Sequence, residues 1–335
     1  MEENLIPSQP EETVNFESRI DLKPLQESIQ AIKQELNTVI VGQHKMIDQL
    51  LVAILSNGHV LLEGVPGVAK TITAKLLAKT LSIGFSRIQF TPDLMPSDIL
   101  GTSVFDLKKS EFEFKKGPVF SNLILIDEIN RAPAKTQAAL FEVMEERQIT
   151  MDGTTYTMNA PFLVIATQNP IEQEGTYRLP EAQLDRFLFK INIDYPKLEE
   201  EINILQKEHA LLSENKLSNI KTLLSAEAIQ QFQVLVKQVL VEPNLLEYIA
   251  KLVVNTRENG FLYLGASPRA SIAILNAAKG FAALRGRDFV TPEDIKEAAI
   301  PVLQHRVIVT PEREMEGITS KEIIQQIIES IEIPR

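Results

Sequence analysis

The residues with the clearest chemical meaning form one stretch rich in glycine and proline, Gly64-Val65-Pro66-Gly67-Val68-Ala69-Lys70-Thr71. The apolar run Val60-Leu61-Leu62 precedes it and helix-spaced apolar residues follow it, which predicts a strand, a loop and a helix start. Such a junction directs backbone N–H groups and the positive end of a helix dipole at one point, which suits the phosphates of a nucleotide. Lys70 is expected to reach the β- and γ-phosphates, and the Thr71 hydroxyl to bind Mg²⁺.

One position departs from the general phosphate-loop pattern, because Ala69 stands where a glycine is usual. An alanine Cβ is tolerable there provided that the backbone keeps φ below zero. The alternative interpretation of the stretch is a structural turn between a core strand and a helix. Just upstream, a short apolar run ends in Val41 and Gly42, where a base-binding pocket could form.

Two carboxylates, Asp127 and Glu128, end the continuous apolar run Leu123-Ile124-Leu125-Ile126. A buried parallel strand with acids at its carboxyl end is where an α/β sheet places groups that handle ligands. Asp127 is expected to bind the water shell of Mg²⁺, and Glu128 to polarise an attacking water as a general base. The alternative, an acidic helix N-cap, loses weight because the phosphate loop lies upstream.

Three further polar residues are candidates for contact with phosphate or water. Asn169 follows the predicted buried strand 162–167, so it could orient the attacking water, touch the γ-phosphate or merely shape the turn before the next proline. Arg186, taken alone, is best interpreted as a surface ion-pair residue. Arg269 lies in the first turn of a predicted helix, where its charge opposes the helix dipole and requires an anion such as phosphate, unless water solvates it.

Composition restricts the remaining chemistry. The chain has no cysteine, which excludes a disulfide scaffold, thiol catalysis and thiolate metal sites. Its four histidines show no metal-ligand spacing, so any metal must be a hard ion held by oxygens and phosphate. The net charge of −11 argues against a broad nucleic-acid surface. No apolar run approaches the ~18 residues that span a bilayer and the N-terminus is acidic, so we expect a cytoplasmic protein without membrane insertion.

The pattern of elements divides the 335 residues into three parts. Residues 1–22 carry prolines and glutamates and predict a flexible segment. Residues 23–196 combine helices with buried strands and two hairpins, near 104–114 and 148–158, the second with an Asp-Gly turn. Residues 197–335 show only helical patterns, among them helices that start at Ser267-Pro268 and Thr291-Pro292 with a serine cap and a capping-box acid.

Several of these stretches together resemble the MoxR-type AAA+ ATPases, from about residue 24 to 335, even to the alanine before the phosphate-loop lysine. The stretches are Gly64-Val65-Pro66-Gly67-Val68-Ala69-Lys70-Thr71, Leu125-Ile126-Asp127-Glu128-Ile129-Asn130-Arg131-Ala132-Pro133, Ala166-Thr167-Gln168-Asn169-Pro170 and Gly265-Ala266-Ser267-Pro268-Arg269-Ala270. By position, the resemblance implies that Lys70 and Thr71 are the Walker A pair and that Asp127 and Glu128 are the Walker B pair. It also implies that Asn169 is sensor 1, Arg186 the arginine finger and Arg269 sensor 2. Gln89 or Thr91 stands where relatives keep a polar residue that restrains the catalytic glutamate.

The resemblance also implies an α/β fold, a P-loop AAA+ core with a parallel five-stranded sheet, followed by an all-α lid domain, with ATP and Mg²⁺ as ligands. The two hairpins are similar to the helix-2 and pre-sensor-1 inserts. Family members form homo-oligomeric rings, usually hexamers, with nucleotide between subunits. They are regarded as chaperone-like machines that remodel or activate client proteins, often with a von Willebrand factor A domain partner and sometimes in metal insertion.

Two other functions stay open. A DNA-linked AAA+ motor would share the same catalytic core, but the acidic net charge makes nucleic acid an unlikely partner. A nucleotide-gated scaffold without turnover is disfavoured because Lys70, Asp127 and Glu128 are all present.

Overall fold

A computed structural model describes residues 19–65, 67–170, 176–177, 179–210 and 220–333. The helices in this part of the chain are α1 (Lys23–Val39), α2 (His44–Leu55), α3 (Lys70–Thr80), α4 (Pro96–Leu100), α5 (Ala134–Glu146), α6 (Glu181–Leu184), α7 (Leu198–Ala210), α8 (Ala226–Gln238), α9 (Pro243–Glu258), α10 (Pro268–Leu284), α11 (Pro292–Leu303), α12 (Pro311–Met315) and α13 (Ser320–Ser330). The strands are β1 (His59–Gly64), β2 (Phe85–Gln89), β3 (Gly101–Asp106), β4 (Glu111–Lys116), β5 (Leu123–Asp127), β6 (Gln148–Met151), β7 (Thr154–Thr157), β8 (Leu163–Gln168), β9 (Phe187–Ile193), β10 (Leu262–Leu264) and β11 (Ile308–Val309).

The centre of the fold is a five-stranded parallel sheet with the strand order β2-β5-β8-β1-β9. The predicted parallel sheet is therefore confirmed. Because all five strands run in one direction, their carboxyl ends meet at the same edge of the sheet. The last residues of β1, β5 and β8, which are Gly64, Asp127 and Gln168, therefore line that edge.

The three central strands β1, β5 and β8 are buried on both faces, which is why they are mostly apolar runs. Alternate side chains of a strand point to opposite faces. Leu123 and Leu125 pack in the hydrophobic core that contains α1, α2 and α3. Ile124 and Ile126 pack on the other face, in the core that contains α5. Helices thus cover both sides of the strand that carries the two acids.

Both predicted hairpins are present. β6 and β7 pair antiparallel around Asp152 and Gly153, whose φ angles are 51° and 77°. Positive φ at both central residues defines the type I′ turn that the Asp-Gly dipeptide predicts. β3 and β4 form a longer hairpin than the predicted 104–114, and it carries the exposed side chains of Leu107 and Phe112.

The C-terminal part of the chain is mainly helical, as predicted, and α10 and α11 begin at the residues expected from their sequences. It also contains a short antiparallel ladder between β10 and β11, which was not predicted. α10 packs directly on α2, because Gly280 leaves no side chain where a Cβ would lie 2.7 Å from Val52 Cγ1. One hydrophobic core therefore joins the two parts of the molecule.

The two predicted helix starts differ in detail. Asp294 accepts a hydrogen bond from the Thr291 N–H (2.9 Å), which is the expected capping-box contact. Ser267 occupies the N-cap position of α10, but its hydroxyl donates to Asp185 Oδ2 (3.2 Å) and caps no N–H of the helix. The expected serine cap is thus replaced by a contact to the end of α6, just before β9. Among the described residues, no helix combines the length and apolarity of a membrane span.

Candidate active site

The phosphate loop connects the end of β1 to the start of α3. A side chain at Gly64 would place its Cβ 2.7 Å from the carbonyl oxygen of Ile193 on β9, so only glycine fits beside this strand. Gly67 has a φ of +88°, a conformation that favours glycine. Val68 is buried in the core that contains α3, and Val65 packs against that core. Pro66 lies outside the described residues.

Ala69 does not keep φ below zero, contrary to the condition that the sequence interpretation placed on it. Its φ of 62° and ψ of 14° put it in the left-handed region, at the N-cap of α3. For an alanine this conformation costs about 1–2 kcal/mol. Such strain persists when the surrounding structure fixes the backbone, and it concentrates at functional sites. The loop therefore has, at Ala69, the left-handed backbone conformation that a glycine would adopt more easily.

Lys70 is the first residue of α3, and its ammonium group points back over the loop. Its Nζ donates a hydrogen bond to the Gly64 carbonyl oxygen (2.6 Å). Burial lowers the pKa of Lys70, while the negative charges of Asp127 and Glu128 act in the opposite direction. Thr71 follows in the first turn of the same helix. The structure thus brings the predicted phosphate-binding lysine and the two acids into one electrostatic neighbourhood.

Asp127 and Glu128 are joined by a hydroxyl from the neighbouring strand. Thr167 Oγ1 donates to Asp127 Oδ1 (3.4 Å) and accepts the Glu128 backbone N–H (3.1 Å). Glu128 has a φ of 58°, so the chain turns sharply between the two carboxylates. Thr167 is not among the site residues predicted from the sequence. Its place near the end of β8, next to the acid-bearing strand, is the signal that could have found it.

The Glu128 carboxylate is held by two side chains. Its Oε2 forms an ion pair with Arg131 Nε (2.9 Å) and accepts a hydrogen bond from Gln89 Nε2 (2.9 Å). Of the two residues considered for a switch position, the structure brings Gln89 to Glu128, because β2 pairs with β5 in a register that sets Gln89 opposite Asp127. The Thr91 hydroxyl instead hydrogen-bonds the Asp93 carboxylate.

The Asp127 carboxylate also has a cationic partner that sequence reasoning missed. Arg87 Nε lies 2.6 Å from Asp127 Oδ2. Asp127 is largely buried, whereas the Arg87 side chain is 53% exposed. Each of the two neighbouring acids is therefore paired with one arginine, Arg87 on Asp127 and Arg131 on Glu128.

Two other groups of predicted residues lie at the same edge of the sheet. Asn169 is buried and directly follows β8, the strand next to β5. The loop that contains Val41 and Gly42 lies near the end of β9, because Gln43 Nε2 donates to the Asp194 carbonyl oxygen (3.4 Å). A cavity of 410 Å³ borders this loop and is also lined by Ile40 and His44. Binding of the base at Val41 and Gly42 stays a prediction, and this cavity is where it would be tested.

Arg186 and Arg269 lie elsewhere. Arg186 directly precedes β9, whose first residue Phe187 pairs with His59 at the start of β1. Lys70 follows the opposite end of β1, and a strand of six residues is roughly 20 Å long. The structure therefore does not bring Arg186 to the phosphate loop of its own chain.

Arg269 is found beside Arg186. Both guanidinium groups pair with Glu145 of α5, at 3.5 Å for Arg186 and 3.3 Å for Arg269. Arg186 also donates to the Phe141 carbonyl oxygen (2.6 Å). Within one chain, the anion that faces Arg269 is this glutamate. Sequence reasoning missed Glu145, and nothing in its local pattern distinguishes it from its acidic neighbours on α5.

The residues at the carboxyl edge fit a magnesium nucleotide. The Asp127 carboxylate and the Thr71 hydroxyl supply hard oxygen ligands, which Mg²⁺ prefers. The N-terminus of α3, an 11-residue helix, and the close approach of Gly64 to β9 leave the loop backbone open to phosphate. The donor set and the loop geometry are therefore compatible with both ligands.

Comparison with known proteins agrees with this geometry. Residues 59–189 match the family described as ATPase family associated with various cellular activities (AAA). Residues 254–327 match the AAA lid domain family. A crystal structure of a candidate ATPase from Cytophaga hutchinsonii superimposes with a TM-score of 0.87 at 44% identity, covering 94% of this chain and 97% of the other.

Curated relatives match over almost the full length. Chaperone MoxR1 of Mycobacterium tuberculosis is 44% identical over 90% of this chain and 81% of its own. The uncharacterized protein YeaC of Bacillus subtilis is 43% identical over 94% of this chain and 96% of its own. Protein MoxR of Methylorubrum extorquens is 30% identical over 90% of this chain and 94% of its own. With the phosphate loop, the paired acids and the helical lid in place, the chain belongs to the MoxR-type family of AAA+ ATPases.

Proposed function

We propose that this protein hydrolyses ATP with Mg²⁺ and uses the energy, in the cytoplasm, to remodel or activate client proteins. The observation that carries the proposal is the meeting of Lys70, Asp127 and Glu128 at one edge of the sheet, where the charges of both carboxylates act on the Lys70 ammonium group. We assign nucleotide binding to residues 23–196 and the lid to residues 197–335, with residues 1–22 as a separate segment.

The roles of the residues follow from their positions. Lys70 and the loop from Gly64 to Thr71 bind the phosphates, and Val41 and Gly42 border the base. Asp127 and Thr71 hold Mg²⁺, which supplies charge neutralisation on the phosphates when bound. Glu128 accepts a proton from the attacking water, which Asn169 orients. Gln89 and Arg131 restrain Glu128 and must release Oε2 before it can act as a base.

Hydrolysis in this proposal needs a second copy of the chain. Arg186 and Arg269 lie at the edge of the sheet opposite the phosphate loop, and they share Glu145. In a closed ring this face of one subunit can meet the nucleotide of the next, so that both arginines act on a neighbour's γ-phosphate. A hexamer is the assembly that we propose.

The client-directed part of the proposal rests on the relatives and the hairpins. One relative is named a chaperone. The β3–β4 hairpin exposes Leu107 and Phe112, with side chains 85% and 74% accessible, which suits contact with another protein. We include a partner with a von Willebrand factor A domain, and a role in metal insertion, as the finer part of the proposal.

The test of the proposal is steady-state ATPase activity, followed by capture of bound proteins with a trapped variant. The purified wild-type chain should release phosphate from ATP only when Mg²⁺ is present. Tagged Glu128→Gln should retain ATP and co-purify a client or adaptor, while Lys70→Ala should not. Wild-type phosphate release at background in verified rings would contradict hydrolysis, and identical captures by both variants would contradict ATP-dependent remodelling.

A further inference from the structure

Arg87 contacts the carboxylate that is proposed to bind magnesium. β2 and β5 pair in a register that sets Arg87 opposite Leu125 and Gln89 opposite Asp127. From this diagonal position Arg87 reaches Asp127, with 2.6 Å between Nε and Oδ2. The contact is charge-assisted, which makes it stronger than a neutral hydrogen bond.

The fold leaves Arg87 able to move. Ile88 points into the core against α5, so its neighbour Arg87 points to the face of the sheet that carries α3. β2 is an edge strand with β5 as its single neighbour in the sheet. The Arg87 side chain is accordingly 53% exposed, whereas that of Asp127 is 12% exposed. The protein thus encloses the acid, whereas solvent surrounds much of the cation and leaves it room to withdraw.

We propose that Arg87 competes with Mg²⁺ for the Asp127 carboxylate and so sets the magnesium concentration at which the protein binds nucleotide. The inference rests on the proposed function, because it takes Asp127 as a magnesium-site residue. A guanidinium on Oδ2 occupies one of the oxygens that the hydrated metal needs, and its positive charge repels the ion at short range. Metal entry therefore requires Arg87 to withdraw.

Removal of Arg87 should not disorder the metal site. Thr167 Oγ1 contacts the other oxygen, Oδ1, and the Asp127 backbone carbonyl accepts the Phe90 N–H (2.9 Å). These contacts, with the buried strand, keep Asp127 in place when the guanidinium is absent. Arg131 differs from Arg87 in its partner, because it pairs with Glu128, the proposed general base, and not with the acid proposed to hold the metal.

The experiment measures binding of a fluorescent ADP analogue, mant-ADP, over a series of buffered free Mg²⁺ concentrations, without hydrolysis. Arg87→Gln and Arg87→Met both remove the charge, and Arg87→Lys retains it. Lys33→Gln is the matched control, because Lys33 pairs with Asp48 between α1 and α2. Thermal melting of each variant reports whether it is folded.

The neutral variants should reach half-maximal binding at about five- to tenfold lower free Mg²⁺ than wild type, since a charge-assisted contact no longer opposes the metal. Arg87→Lys should stay within about twofold of wild type, and Lys33→Gln should match it. An unchanged or raised magnesium requirement in folded neutral variants would overturn the inference and make Arg87 an orienting group. Wild-type protein that binds no mant-ADP at any Mg²⁺ concentration would instead overturn the proposed function.

Discussion

Asp127 and Glu128 are adjacent in sequence, but their carboxylates have different surroundings. Asp127 is enclosed by Thr167 and Arg87 at the end of a buried strand. Glu128 lies beyond a sharp turn, with its Oε2 shared by Gln89 and Arg131. The strand fixes the first acid where a metal can be held, while the left-handed backbone of the second directs it away from the strand. The two carboxylates of one motif are thereby suited to the two different roles proposed for them.

Lys70 and Glu128 should differ in what their loss removes. Lys70→Ala should weaken nucleotide binding roughly 10- to 100-fold, because a charge-assisted contact to ground-state phosphate is lost. Glu128→Gln should bind nucleotide nearly as well as wild type and lose about 10²-fold or more in turnover, because a general base acts in the transition state. Titration with mant-ADP and a phosphate-release assay measure the two effects separately.

Lys75 provides the control for this comparison, because it is an exposed lysine on the same helix, α3. Lys75→Ala removes the same charge and should leave binding and turnover close to wild type. If Lys70→Ala and Glu128→Gln lost equal amounts of ATP affinity, the two assigned roles would be wrong.

At the scale of elements, a buried ion pair connects the C-terminal helical part, residues 197–335, to the part that contains the sheet. Arg306, which follows α11, lies 2.7 Å from Asp185 Oδ1, and its side chain is 4% exposed. It also donates to the carbonyl oxygens of Phe187 and Leu188. Asp185 in turn accepts the Ser267 hydroxyl at the start of α10. Arg269, two residues further on, therefore takes its position from this junction.

Asp185→Asn should destabilise the protein by about 3 kcal/mol, because it leaves a buried guanidinium without its counter-charge. For a chain of this size that loss lowers the melting temperature by about 5 °C. The matched control is Glu247→Gln, the same change in the exposed pair with Lys251, which should shift the melting temperature little. Equal melting temperatures of Asp185→Asn and wild type would show that the junction contributes no stability.

Much of the element structure could be predicted from the sequence. Apolar runs identify the buried strands β1, β5 and β8 but not β9, and Ser267-Pro268 and Thr291-Pro292 mark the starts of α10 and α11 correctly. The Asp152-Gly153 turn follows from the conformational preferences of two residues. In each of these cases the information is local, because propensity and periodicity operate over a few neighbouring residues.

The contacts that organise the site are not local and could not be predicted. Arg87 and Asp127 are 40 residues apart, and their contact depends on the strand order and register. Arg269 and Glu145 are 124 residues apart, and their contact depends on how the lid packs on the sheet. For the same reason, the sequence predicts that Arg269 requires an anion but does not indicate that Glu145 lies beside it.

At the scale of the whole molecule, stability should depend on two buried histidines. His59 accepts the Val164 N–H at Nδ1, which leaves Nε2 to donate to the Met144 carbonyl oxygen. Burial, reinforced by the charge of Arg147, lowers the pKa of His59 to about 4. Burial also lowers the pKa of His305 well below its usual value. Both rings are therefore neutral in the folded protein near pH 6.

The unfolded chain takes up protons at these rings below about pH 6.5, whereas the folded chain does not. Stability is thus fully present above pH 6.5 and falls as the pH drops towards 4, by up to about 1.4 kcal/mol per pH unit for each histidine. Denaturant unfolding between pH 7.5 and 4.5 measures this slope. His59→Asn should be less stable at pH 7.5 but should lose stability less steeply on acidification.

The control for the acid dependence is His44→Asn, which removes an exposed histidine and should retain the wild-type slope. A His59→Asn slope identical to that of wild type would mean that His59 does not contribute to acid lability.

Assembly gives the last prediction, because Arg186 and Arg269 lie at the edge opposite the phosphate loop and should serve a neighbouring subunit. Rings of Glu128→Gln, Arg186→Ala or Arg269→Ala alone should be nearly inactive, since an arginine that acts in trans contributes ~10³-fold or more to turnover. Mixing Glu128→Gln with either arginine variant creates interfaces in which the arginine variant provides Glu128 and its neighbour provides both arginines. In a random equal mixture about one interface in four is complete in this way.

Co-assembled rings, verified to contain both proteins by pull-down of one tag, should therefore recover a measurable fraction of wild-type phosphate release. The matched control is a mixture of Lys70→Ala with Glu128→Gln, in which both defects belong to the same site, so that no interface is complete and no activity returns. Rescue by Arg186→Ala but not by Arg269→Ala would place Arg269 at the nucleotide of its own subunit, against the shared position at Glu145. Verified mixed rings that stay as inactive as their parents would reject action in trans for both arginines, because the missing group would then be absent from every site.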